Sequence, residues 1–207
     1  MKILAHRGAW NTQKEKNSIE AIEEAFACGW GVETDVRDYK GELVISHDIA
    51  TDRSPKFTDM LNRYKAGKHP PFLAINVKAD GIQELLMKEL NAVNIKNFGV
   101  FDMSIPEQVV YRRMGIPFFA RQSEIEVSPV MYEDAYGIWM DEWEQGWITA
   151  DIINGHLARG KIVGVISPEI HGRDNQRLWD ELRKVKSDRL MLCTDIPGKA
   201  KQVFYGD

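Results

Sequence analysis

The chain has only two cysteines among 207 residues, Cys28 and Cys193. They form no CxxC pair and no spaced framework, which excludes a disulfide scaffold and fits a reducing compartment. There is no excess of positive charge: 27 Lys and Arg stand against 31 Asp and Glu, a net charge of −4. That balance lacks the basic footprint of a nucleic-acid binder. No apolar run is long enough to span a bilayer. The first residues read as a strand rather than an apolar signal region. The expectation is a cytoplasmic protein without a transmembrane segment. No low-complexity tract, linker or charge block divides the sequence, so residues 1–207 read as a single domain with ordinary apolar content for one full core.

What is present is a regular alternation. Short apolar runs at 2–6, 31–36, 72–77, 97–102, 117–121, 136–140, 161–167 and 189–193 read as strands. Amphipathic stretches at 17–28, 57–66, 80–93, 104–114, 127–134, 149–159, 174–186 and 196–204 read as helices. Asn17 and Ser18, Asp80, Ser104, Thr149 and Asp174 stand where helices begin. Gly29, Gly67, Gly115 and Gly160 stand where they end. Residues 38–48 read as an excursion after the second strand, turning at Tyr39-Lys40-Gly41 and returning extended from Glu42 to Ser46. Eight strand-helix units predict a compact (β/α)8 TIM barrel, with its site at the C-terminal face of the strands. His6, Arg7, Glu33, Asp35, Asn76, Lys78, Asp102, Arg121, Asp141, Glu169 and Asp195 all fall at or near expected strand ends.

The segment from His6 to Asp48 carries the densest chemistry. Glu33 and Asp35 lie two apart in an extended run flanked by Val32 and Val36, so they share one face. Adjacent carboxylates repel unless a cation lies between them, and oxygen donors suit a hard divalent metal. His6 and His47 are candidates for proton transfer, and Arg7 for meeting phosphate charge. Gly8 allows the backbone to approach a ligand closely. Together these residues supply what one-metal cleavage of a phosphodiester requires.

His6-Arg7-Gly8, Lys16-Asn17-Ser18, Ala25-Phe26 with Gly29, Glu33-Thr34-Asp35-Val36 and His47-Asp48 resemble the successive motifs of the glycerophosphodiester phosphodiesterase family. Ala74-Ile75-Asn76-Val77-Lys78 resembles its I-E-I-K strand, and Thr194-Asp195-Ile196-Pro197 its C-terminal T-D-x-P. The match is dense over the first 50 residues and patchy afterwards. The resemblance implies a metal-dependent phosphodiester hydrolase acting on a glycerophosphodiester-like or sugar or alcohol diester. It implies one divalent cation, Mg2+ or Ca2+, on Glu33, Asp35 and Asn76, with His6 and His47 catalytic. It also implies attack by a neighbouring hydroxyl to give a cyclic phosphate, which is then hydrolysed. Lys78 shares a face with Asn76 and reads with Arg7 as phosphate-binding. Two departures stand out. Asn76 replaces a ligating glutamate, keeping an oxygen donor but losing its charge, and Lys16 replaces another glutamate.

Specificity is expected from the two loops least like the family. Trp143 and Trp147 read as an aromatic platform for a sugar or alkyl group, Trp139 as core. Glu169 and Arg173 belong to the polar stretch Ser167–Arg173. His69, His156 and His171 read as structural or exposed. Two other readings remain open. One is a phospholipase C-like enzyme that stops at the cyclic phosphate. The other is a degenerate barrel that binds a phosphorylated ligand without turning it over.

Overall fold

The computed structural model describes residues 1–64 and 71–206. Among the described residues nine strands form: β1 (Lys2–His6), β2 (Gly31–Tyr39), β3 (Glu42–Ile45), β4 (Leu73–Val77), β5 (Phe98–Phe101), β6 (Phe119–Gln122), β7 (Gly137–Met140), β8 (Ile162–Ile166) and β9 (Leu190–Thr194). Eight run parallel in the order β5-β4-β2-β1-β9-β8-β7-β6. They read as near-continuous apolar runs because both faces are covered. One closing contact joins the two ends of the sheet, the parallel bridge between Val100 and Phe118. Pro117 has no N–H to donate, which keeps this seam short: its carbonyl accepts from Val100 N at 3.0 Å, and the regular strand starts only at Phe119. β3 is the expected excursion. It returns antiparallel to β2 through Lys40 and Gly41, both at positive φ (51° and 82°).

The helices are α1 (Ile19–Ala27), α2 (Phe57–Leu61), α3 (Gln83–Ala92), α4 (Ile105–Arg113), α5 (Ala150–Ala158), α6 (Gln176–Arg183) and α7 (Pro197–Tyr205). Ser18, Ser104 and Thr149 cap α1, α4 and α5 by accepting from backbone N–H groups of the first turn. The helix expected at 57–66 is shorter: α2 ends at Leu61, with Asn62 as its C-cap. Gly67 and His69 lie outside the described residues.

The helix expected at 127–134 does not form; the segment is a run of turns. Ser128 precedes Pro129, which disfavours helical backbone, and Met131 sits at φ 56°. Lys161 Nζ fills the gap by donating to Glu133 O at 3.0 Å and Ala135 O at 2.7 Å. His156 bridges Tyr132 Oη (2.9 Å) and Gln122 Oε1 (2.8 Å), the structural role expected of it.

The barrel thus has two cores. One lies between strands and helices and includes Ile22, Val32, Leu86, Tyr111, Ile153 and Leu178. The other fills the barrel itself with Leu4, Phe72, Phe101, Phe119, Trp139 and Cys193. Large rings fit there because facing positions are empty. A Cβ on Gly99 or Gly137 would lie 2.5 or 2.4 Å from the Phe119 ring. Such overpacking costs ~1–3 kcal/mol. Trp139 stacks on Phe101 with centroids 4.0 Å apart, as a core residue. The cysteines are free, Cys193 buried and Cys28 exposed. No described helix is long and apolar enough to cross a membrane.

Candidate active site

Strand register assembles the site above this apolar floor. Side chains alternate along a strand, so the interior series of β2 runs Gly31, Glu33, Asp35. Register places His6 beside Glu33, and Asp35 beside Asn76. His6, Glu33, Asp35 and Asn76, from three separate segments, thereby meet on three adjacent strands.

β1 ends abruptly, with Arg7 at φ 58° and Gly8 at φ 94°. Gly8 does not make room for a ligand, as the sequence suggested. A Cβ there would lie 2.7 Å from the Ala21 carbonyl carbon, so the glycine lets β1 pass close to α1. The turn aims Arg7 back at the site, with Nε 3.0 Å from Asp35 Oδ2 as an ion pair. Asn17, at φ 63°, accepts from Thr34 Oγ1 at 2.9 Å and donates to Asp35 Oδ2 at 2.8 Å. Thr34 thus fixes which end of the Asn17 amide faces the carboxylate. Lys78 Nζ approaches the other oxygen of Asp35 to 3.4 Å.

His6 is buried, and its Nδ1 lies 2.5 Å from Asp195 Oδ1. Lys16 Nζ lies 3.2 Å from the second Asp195 oxygen. Burial pushes the Asp195 carboxyl up, but the His6 hydrogen bond and the His6 and Lys16 charges outweigh it and hold it below the usual range. Burial drives the His6 imidazole down, more strongly than Asp195 raises it. An ionised Asp195 can only accept, so the neutral ring carries its proton on Nδ1 and leaves Nε2 bare. That Nε2 is 3.8 Å from Glu33 Oε2.

Glu33 is fully buried, and burial first, then the Asp35 charge, push its carboxyl well up. Glu33 Oε2, Asp35 Oδ1 and Asn76 Oδ1 are buried oxygens that accept no hydrogen bond, although Lys78 Nζ stands 3.4 Å from Asp35 Oδ1 as an ion pair. The Asn76 amide is oriented by Nδ2, which donates to Asp102 Oδ2 at 3.0 Å. Buried oxygens are rarely left without a partner. Three of them on adjacent strands suit a hard cation, two as carboxylate and one as amide. Among the described residues no group of three or more His, Cys, Asp or Glu has metal-holding geometry, so the oxygens gathered here are two carboxylates and one amide.

His6, Arg7, Lys16, Glu33, Asn76 and Lys78 line one wall of a cavity of about 540 Å3, with Asp35 buried behind them. His47 stands at its rim on the loop after β3, half-exposed, with Nδ1 2.8 Å from Asp48 Oδ1. Arg37 braces that loop, donating to Asp48 O and, at 3.3 Å, to Lys78 O. The opposite wall carries Asp102, Arg121, Glu126, Asp141, Trp143 and His171.

The specificity residues expected from sequence divide here. Trp143 lines the cavity and is 53 % exposed. Trp147, Glu169 and Arg173 do not line it; they hold the loops together instead. Trp147 Nε1 donates to Asp141 O at 2.7 Å, and Arg173 Nη1 to Glu142 O at 2.7 Å. Glu169 accepts from Ser167 Oγ, Thr194 Oγ1, Asn175 Nδ2 (3.1 Å) and Asp195 N (3.2 Å), leaving it committed below the His6 anchor. In their place stands His171, which the sequence reading set aside. A single 3-10 turn, Pro168–His171, ends at Gly172 with φ 72° and presents His171 to the cavity. Its Nε2 lies 2.8 Å from Asp141 Oδ1, and that hydrogen bond raises its pKa despite partial burial. The proline and glycine bracketing the turn were the available signal.

No protein-family model and no curated protein matches the chain. Solved structures do. A glycerophosphodiester phosphodiesterase from Parabacteroides distasonis superposes with a TM-score of 0.73 at 18 % identity, covering 99 % of this chain and 97 % of its own. One from Agrobacterium tumefaciens gives 0.69 at 16 %, covering 99 % of each chain. An Oleispira antarctica phosphodiesterase, solved with the product sn-glycerol-3-phosphate, gives 0.70 at 16 %, covering 98 % of this chain and 96 % of its own. The chain has their fold. The likeness runs over nearly the whole chain and confirms the (β/α)8 architecture expected from the strand-helix alternation.

Proposed function

We propose that the chain is a divergent glycerophosphodiester phosphodiesterase-type enzyme, a metal-dependent phosphodiester hydrolase. Its substrate is a glycerophosphodiester-like or sugar or alcohol diester. The observation that carries this reading is the trio of buried oxygens on Glu33, Asp35 and Asn76 that accept no hydrogen bond, beside a buried histidine with one bare ring nitrogen. That its structural neighbours are phosphodiesterases supports it.

Glu33, Asp35 and Asn76 would hold one Mg2+ or Ca2+. A divalent cation there supplies charge for the phosphate oxygens and lowers the pKa of the attacking oxygen. Arg7 and Lys78, already at the Asp35 carboxylate, add positive charge where the phosphate sits. Asp195 holds His6 in the tautomer that accepts a proton at Nε2, so His6 is the base toward the nucleophile. His47 at the rim donates to the departing alcohol oxygen. If the nucleophile is the neighbouring hydroxyl, the first step forms a cyclic phosphate and releases the alcohol. Water then opens the ring, with the two histidines exchanging roles.

The test is a panel of phosphodiesters incubated with Mg2+, Ca2+ or Mn2+ and followed by phosphorus NMR. A phosphomonoester formed only with metal, and abolished by chelator, is the expected result. A cyclic phosphate that accumulates unhydrolysed would reassign the chain to the cyclising enzymes. Binding without turnover of any diester would make it a ligand-binding barrel.

A further inference from the structure

The wall facing the metal-site residues is built differently from them. Trp143 offers an exposed indole, tilted 31° against the His171 ring with centroids 4.9 Å apart. Around it stand both donors and acceptors. Arg121 Nη2 lies 2.9 Å from Glu126 and its Nη1 3.8 Å from Asp102, and His171 is joined to Asp141. Each of these cavity-lining carboxylates has a partner, with Arg121 shared between Asp102 and Glu126. The loops that carry them are pre-set. Glu124 accepts from Glu144 N and Gln145 N, Arg177 pairs with Glu142, and Arg173 ties the His171 turn to the Trp143 loop.

We propose that this wall is a sugar subsite: one alcohol of the phosphodiester is a cyclic polyol, a sugar or cyclitol ring, lying on Trp143 with its hydroxyls against Arg121, Asp141 and His171. The inference rests on the phosphodiester reading of the preceding section and specifies its substrate. A polyol ring has what this wall complements: an apolar C–H face for the indole, and vicinal hydroxyls that both donate and accept. Glycerol has no flat apolar face to cover an indole. A quaternary ammonium also stacks on tryptophan, but it cannot use hydrogen-bond donors, and this wall offers them in Arg121 and His171. The cavity, about 540 Å3, is within the size range of small-molecule sites and accommodates a ring together with its phosphate.

Four phosphomonoesters, titrated calorimetrically into the intact protein with Mg2+ present, test this. They are a hexose 1-phosphate, sn-glycerol 3-phosphate, phosphocholine and uridine 5′-monophosphate. The hexose phosphate should bind at least ~10-fold more tightly than the others. Trp143→Ala, at an exposed position that folding does not need, should remove most of that preference. His171→Phe, which keeps a ring and loses the hydrogen bonds, should reduce it. Equal binding of all four overturns the sugar subsite and leaves the phosphate site standing. Tighter binding of phosphocholine or of the nucleotide assigns the wall to an ammonium or a base instead. A hexose preference untouched by Trp143→Ala also overturns the proposal. Failure of all four to bind overturns the phosphate site, and the subsite with it.

Discussion

Replacing Asn76 with aspartate separates the two jobs of that amide. Its Nδ2 donates to Asp102 at 3.0 Å, and its Oδ1 is buried without a donor. Asn76→Asp keeps the shape and reach of the side chain. It removes the donated hydrogen bond and sets a second carboxylate oxygen against Asp102, close to Asp35 and Glu33. A hydrogen bond to a charged group is worth ~1.5–3 kcal/mol. The metal-free variant should therefore lose about that much stability, and repulsion adds to the loss. For a chain of this size each kcal/mol moves Tm by about 2–4 °C. In Mg2+ or Ca2+ the sign changes. The added charge strengthens a site that otherwise has two carboxylates, and affinity should rise at least ~10-fold, or about 1.4 kcal/mol. Thermal melts with and without saturating metal, with titration calorimetry for affinity, measure both effects. The variant should be less stable than the parent without metal and should recover much of the deficit with it. An undiminished deficit, together with unchanged or weaker metal affinity, would refute ligation by Asn76.

His6→Ala and His47→Ala should each reduce turnover by at least ~10²-fold with little change in fold, measured by steady-state kinetics and circular dichroism. Near-normal turnover would remove that histidine from the mechanism. Asp195→Asn removes the charge that fixes the His6 tautomer and frees Lys16, so kcat should fall by at least ~10-fold while KM changes less; equal changes in both would point to a merely structural role. The His171 imidazole, followed by NMR, should titrate above its ordinary value, and Asp141→Asn should lower it. The charged form is the one Asp141 favours. This pair's contribution to stability is therefore full below the unfolded pKa of about 6.5 and is lost as pH rises through the higher folded value.

The strands were legible because burial on both faces leaves uninterrupted apolar runs, and Gly, Ser and Thr mark the helix ends next to them. The stretch at 127–134 misled because its apolar spacing mimics a helix, while Pro129 and the left-handed Met131 set the backbone. His6, Glu33, Asp35, Asn76 and Lys78 were visible because each falls at or near an expected strand end. Asp195 shared that position and a motif, but its role depends on a contact 189 residues away. Glu169 and Arg173 have the composition of a binding loop, but their partners lie within the loops themselves. His171 was hidden for the converse reason: nothing in a lone histidine announces that a one-turn helix will aim it at a cavity.

The single bridge between Val100 and Phe118 gives the barrel an uneven stiffness. From β4 through β2, β1, β9 and β8 to β7 each pair is knit by a continuous ladder, and Glu33, Asp35, Asn76, His6 and Asp195 are held by that half. Asp102 and Arg121 stand on opposite banks of the lightly stitched side, joined across it at 3.8 Å. The turns that replace a helix after β6 lie on the same side. Parting this seam would widen the cavity between Asp102 and Arg121, and it would reach the oxygen cluster through the Asn76–Asp102 hydrogen bond. Substitutions there can reshape the cavity while the ladders of β1, β2 and β9 keep His6, Glu33 and Asp35 in place, and the Asn76–Asp102 hydrogen bond is the link through which the two sides of the barrel feel each other.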